Sequence, residues 1–176
     1  MFGWLRGKRQ SEDGPLFLYL QTTKTRICFG AYGGEESLLL EGSNEERGAL
    51  FYALCSYFCT RTDDELEMRG VRKDERDLIW SELLKVTFEE VGLDARKDDL
   101  QRVIVLKGMG LASAATHHAP SSEREVANYP SFVARLLRGM ATIEDATCLP
   151  SERVAAMLGR WETSRRYLDQ IAASCR

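Results

Sequence analysis

Two pairs of residues in this chain have the types and spacing to do chemistry: Cys55 with Cys59, and His117 with His118. Four residues apart on a helix, Cys55 and Cys59 present their thiols on one side. With two further donors such a pair can hold zinc or another thiophilic metal. The histidines are the chain's only two, and so the only side chains with an ordinary pKa near neutrality. They are candidates for the missing ligands, as are Cys28, Cys148 and Cys175, and candidates for a general base.

Each of these readings has a plainer rival. The cysteine spacing is not that of a zinc ribbon, which places two residues between its cysteines on a turn, and there is no second cysteine pair. Buried cysteine is mostly a small hydrophobe. Adjacent residues point to different sides of a helix or strand, so His117 and His118 make a poor two-pronged clamp. A general base also needs an orienting carboxylate and a nucleophile, and the sequence marks neither. The stretch His117-His118-Ala-Pro-Ser-Ser reads most simply as a surface loop.

A third candidate is Gly108-Met109-Gly110-Leu111-Ala112-Ser113 after the apolar run Arg102–Lys107. A strand followed by such a loop and a helix could cradle a phosphate. Here Ser113 stands where the third glycine belongs, and no second strand–helix unit is visible, so a break between two helices accounts for it as well. The chain lacks GxSxG, HExxH, the phosphate-loop glycine-lysine signature, EF-hand spacing and CxxC. Its carboxylates sit in mixed-charge runs, not on apolar backgrounds that would raise their pKa.

The totals fit one globular domain. At 176 residues, 44% apolar and 29% charged, the chain can bury roughly 70% of its unfolded surface. A net charge of −3 gives no overall basic field for nucleic acid, and Arg160, Arg165 and Arg166 are diluted by Glu162 and Asp169. Five scattered cysteines and no secretory signal suggest free thiols in a reducing compartment, the cytoplasm. No segment reaches the ~20 apolar residues a membrane-spanning helix needs.

The elements expected to position these residues start from Ser43–Thr60. Ser43 with Glu46 forms a capping box, and the apolar run Ala49–Cys59 is broken only by Ser56. That pattern predicts a helix packed on several sides. Residues 1–14 are expected to be a flexible segment with a short basic-aromatic tip, and residues 15–176 the single domain. Leu16–Gln21 and Arg26–Tyr32 read as strands around a Thr22–Thr25 turn, with Ser37–Glu41 as a third. Thr62 with Glu65 reads as a second capping box. A helix follows from about Arg72 to Val91, closed by Gly92 and Leu93. Ser122 with Glu125 and then Pro130 mark two shorter helices. From Pro150 or Ser151 a last helix carries Val154, Trp161, Leu168 and Cys175 at seven-residue spacing, with Met157 and Ile171 between.

The expected fold class is α+β and predominantly helical: a small N-terminal antiparallel β-meander packed on a central buried helix, with further helices around it. The expected function is a non-catalytic cytoplasmic module binding another protein or a second copy of itself, as adaptor, regulator or chaperone-like subunit. Val154, Met157, Trp161, Leu168 and Ile171 are its candidate contact stripe, and no cofactor is implied. The alternative is an enzyme or sensor with a metal or small-molecule site near Cys55, Cys59, His117 and His118.

Overall fold

The structure, a computed structural model, describes residues 14–34, 37–38, 44–93 and 151–175, with the side chains of Glu45, Glu46, Ala49, Ala53, residues 151–155, Met157 and Leu158 left aside. Among these residues the chain forms four helices and no strand: α1 (Pro15–Tyr32), α2 (Asn44–Met68), α3 (Lys73–Glu90) and α4 (Ser151–Ser174). The helix α1 packs against all three others. No helix among the described residues is long and apolar enough to cross a membrane.

The expected β-meander is therefore absent, and α1 occupies its place. Gly14 and Pro15 start the helix; Pro15 sits where its missing N–H costs nothing, and the Leu18 amide closes the first turn on the Gly14 carbonyl at 3.0 Å. The two stretches read as strands also fit helical spacing. Leu16, Tyr19, Leu20, Thr23, Ile27, Gly30 and Ala31 form one buried face. The threonines read as a turn lie inside the helix. Thr22 donates to the Leu18 carbonyl and Thr25 to the Gln21 carbonyl, each at 2.8 Å, which satisfies β-branched polar residues within a helix. Of the third expected strand, Ser37 and Leu38 are described, and they fold back instead on the end of α1. The Leu38 amide donates to the Gly30 carbonyl at 2.8 Å. Arg47 of α2 reaches the Ala31 carbonyl at 3.3 Å and the Ser37 hydroxyl at 2.9 Å, placing a cation at the negative end of α1.

The all-round burial expected of the central helix is present in α2, where Leu54 through Thr60 are buried without interruption. Ser43 lies outside the described residues. The helix does not stop near Thr60 but runs to Met68, so Thr62 and Glu65 are mid-helix residues and form no cap. Its end is a left-handed glycine cap: Gly70 has φ +76°, and the Val71 amide returns to the Leu66 carbonyl at 3.0 Å. The expected close of α3 has the same geometry, with Gly92 at φ +69° and Leu93 donating to the Phe88 carbonyl at 3.0 Å. Ile79, Leu83, Leu84, Thr87 and Phe88 of α3 face the core. The helices expected around Ser122 and Pro130, and the run Arg102–Lys107, lie outside the described residues.

Candidate functional site

Two places among the described residues gather clusters of polar and aromatic side chains from more than one helix. One is the seam where α4 meets α1 and α2. Trp161, Ser164, Leu168, Ile171 and Ala172 are buried there, the face expected from the seven-residue spacing. The Trp161 ring lies 6.0 Å from that of Phe58. The guanidiniums of Arg61 and Arg165 approach its centroid to 5.4 and 5.9 Å, within cation–π range.

Beside the ring sits Glu65, whose side chain is 2% exposed. Arg69 donates to it at 2.6 Å and Arg165 of α4 at 2.9 Å, while Arg61 stands 3.7 Å away. Burial by itself would raise the Glu65 pKa, but the hydrogen bonds from Arg69 and Arg165 outweigh it and hold the carboxyl below its usual range. Arg69 also bonds Asp169 of α4 at 2.7 Å, and Arg165 bonds Glu162 at 2.6 Å. Deeper in the seam Tyr19 of α1 meets Thr62 of α2 at 2.8 Å. Thr62 spends its own proton on the Phe58 carbonyl at 2.6 Å, so Tyr19 is the donor. Burial pushes the Tyr19 phenol up to about 12, so it stays protonated at neutral pH.

The second place is a groove of about 530 Å³ between the ends of α1 and α3. Its described lining is Cys28, Phe29, Tyr32 and Gly33 from the end of α1, with Glu90, Val91 and Leu93 from the end of α3. Phe29 and Tyr32 are 48% and 43% exposed, large values for aromatic rings. Gly33 is needed for this geometry: a Cβ there would meet the Phe29 ring at 2.7 Å and the Phe29 carbonyl oxygen at 2.6 Å. Behind the groove the Tyr32 ring rests 5.6 Å from Phe51, whose ring lies tilted 5.8 Å from that of Phe88. Lys24 and Glu90 pair across the rim at 2.6 Å. Burial, reinforced by Glu90, pushes the Cys28 thiol up to about 11, so it is a neutral and weak nucleophile at physiological pH.

The residues singled out from the sequence fall unevenly on this map. Trp161, Leu168 and Ile171 are enclosed within the chain's own fold. A dimer seam built from them would first have to detach α4 from α1 and α2. The side chains of Val154 and Met157 lie outside the described residues. Cys55 and Cys59 are fully buried thiols on α2, neither in a disulfide, and the Cys59 Sγ lies 3.9 Å from the Trp80 carbonyl. Burial first, and the neighbouring thiols second, push the Cys55 pKa well above its ordinary value. His117 and His118 lie outside the described residues. Among the described residues no group of three His, Cys, Asp or Glu side chains could hold a metal ion.

Sequence reasoning missed both the Glu65 cluster and the groove. Glu65 and Arg165 are 100 positions apart, and Glu65 was assigned to a cap. The groove is assembled from two helix ends, for which Gly33-Gly34 and Gly92 were the only local signs. No protein-family model matches this chain, and neither does any curated protein or solved structure.

Proposed function

We propose that this chain is a non-catalytic helical module that acts by binding another protein. The observation that carries the reading is the exposed pair Phe29 and Tyr32 on an apolar groove, in a chain whose other described aromatic rings are buried or partly buried. Large apolar side chains left at the surface together mark contact sites. The state of the buried ionisable groups supports the same reading. Glu65 is tied up by arginines, and Tyr19, Cys28 and Cys55 are held protonated. None of these is poised near neutral pH, as a general acid or base is. In this reading the contact surface is the groove and not the apolar stripe of α4, whose Trp161, Leu168 and Ile171 are buried in this chain's own core.

The test is native mass spectrometry of the full chain purified from its own cells, without chelator. The expected result is a complex with one other polypeptide in fixed ratio that survives nuclease and chelator. A bound metal or small molecule that leaves on acid denaturation, with no polypeptide, overturns the reading in favour of a sensor or enzyme.

A further inference from the structure

We propose that Cys28 and Cys55 form a latent dithiol, which closes into a disulfide between α1 and α2 on exposure to a low-molecular-weight disulfide such as oxidised glutathione. This modification site goes beyond the interaction reading above and does not depend on it.

The pairing follows from the register of the two helices. Tyr32 of α1 meets Phe51 of α2 with ring centroids 5.6 Å apart, and Tyr19 meets Thr62 at 2.8 Å. Moving back along α1 therefore means moving forward along α2, so the two run antiparallel. Cys28 lies four residues before Tyr32, and Cys55 four residues after Phe51. Residues four apart share a helix face, so the level of the Tyr32–Phe51 contact carries over by one turn to Cys28 and Cys55. Packed helices lie ~8–10 Å apart axis to axis, and each backbone cylinder has a Cα radius of ~2.3 Å. Facing Cα atoms thus come within the ~4.4–6.8 Å that a disulfide spans. The electrostatics show the same neighbourhood. Burial first, then Cys55 and Cys28, raise the Tyr32 phenol. Burial first, then Cys59 and Cys28, raise the Cys55 thiol.

The two thiols differ in the way an exchange reaction needs. Cys28 is half-buried and lines the groove, where a small reagent reaches it, whereas Cys55 is wholly enclosed. Cys59, the other buried thiol of α2, has its Sγ 3.9 Å from the Trp80 carbonyl of α3. In the first step Cys28 gives up its proton to water, and its thiolate attacks one sulfur of the small disulfide. A mixed disulfide forms and one small thiolate leaves. Cys55, deprotonated in turn, then attacks the Cys28 sulfur and expels the second small thiolate. The reagent gains two electrons and two protons and ends as two thiols; the chain loses two hydrogens. Burial holds the Cys28 thiol up at about 11. The reaction is therefore slow at neutral pH and quickens about tenfold for each unit of rising pH below that value.

The experiment incubates the reduced full chain with oxidised glutathione at neutral pH and at about pH 9. Free thiols are then blocked, and the cross-links are mapped by mass spectrometry of unreduced proteolytic peptides. The expected product is an intrachain Cys28–Cys55 link that forms far faster at the higher pH. The oxidised chain should need more denaturant to unfold than the reduced chain, since the link constrains the unfolded state. Cys28→Ser should abolish the link, and Cys55→Ala should leave glutathione stranded on Cys28. Cys28 is half-buried, so Cys28→Ser reports even where Cys55→Ala disturbs the core. A glutathione adduct that persists on Cys28 in the wild type puts Cys55 out of reach and overturns the proposal. A link from either residue to any other cysteine, a link formed only between two chains, or thiols still free at about pH 9 also overturns it. So does an oxidised chain that unfolds at lower denaturant than the reduced one, because the link then forms only by distorting the helices.

Discussion

The α4 seam and the groove at the ends of α1 and α3 are made of the same material, aromatic rings beside charged side chains, and they are finished differently. In the seam Trp161 is 1% exposed and its neighbouring charges answer one another: Glu65 with Arg69 and Arg165, Arg69 with Asp169, Arg165 with Glu162. In the groove Phe29 is 48% exposed, and the lining carboxylate Glu90 is paired with Lys24 at its edge. Three helices converge on the seam, so its rings are covered and its carboxylates paired, while Trp161 Nε1, Arg61 Nε and Arg165 Nε are buried there without a hydrogen-bond partner. Two helix ends bound the described groove, and what they leave uncovered is mainly apolar. Cover by the chain itself, not residue type, separates the buried seam from the exposed groove here.

The largest way to break the comparison is to remove the seam. Deleting residues 151–176 strips cover from Tyr19 and Thr62 and takes away Arg165 from Glu65. We expect the cooperative unfolding transition to vanish, read by circular dichroism against denaturant. A truncated chain that still unfolds cooperatively would mean that α4 is an accessory to the core. A single substitution makes the point more finely. Trp161→Ala is expected to lower unfolding stability by about 4 kcal/mol, the usual cost of a large buried ring.

Glu65 comes next. Glu65→Ala leaves Arg69 and Arg165 gathered around no anion. A fully buried pair broken in this way costs about 3–5 kcal/mol. The two guanidinium side chains are 20% and 34% exposed, and solvent screening reduces the expected loss to about 2–3 kcal/mol. The same group sets a pH dependence. Its folded pKa lies below the unfolded value of about 4.3, because the arginines stabilise the carboxylate. The contribution is therefore complete above the unfolded pKa and is lost as pH falls through the folded one. Wild type should lose stability down this acid limb, and Glu65→Gln should flatten it. Parallel acid limbs in a urea titration across pH would show that Glu65 is not the group responsible.

How much of this was legible in the sequence follows from how local each feature is. The close of α3 could be read because Gly92 and Leu93 lie together in the chain. The inward face of α4 could be read because Trp161, Leu168 and Ile171 repeat on one stripe. Helix α1 could not, because Leu16–Gln21 and Arg26–Tyr32 satisfy strand-like composition and helical spacing at once. The threonines between them favour a turn until their hydroxyls find the carbonyls one helical turn back. Its buried Tyr19 and Ile27 are decided by packing against three other helices, which tertiary structure supplies and local preference does not. The Glu65 cluster depends on a partner far along the chain. Thr62-Asp63-Asp64-Glu65 has the spacing of a cap and sits inside a helix of 25 residues.

The smallest expected effect is the sharpest test of the contrast. Phe29→Ala removes a ring as large as Phe58, yet nearly half of that ring is already in water. Its loss should cost less than about 1 kcal/mol of stability, since only the buried part of the side chain contributes. Phe58→Ala, at 0% exposure in the seam, should cost about 3–5 kcal/mol. Measured side by side in denaturant, the two substitutions should differ several-fold in stability, while of the two only Phe29→Ala, on the exposed groove, should weaken capture of a protein partner without a loss of fold. A Phe29→Ala variant as unstable as Phe58→Ala would mean that the ring belongs to the core after all. The groove would then lose its claim as a surface kept open for a partner.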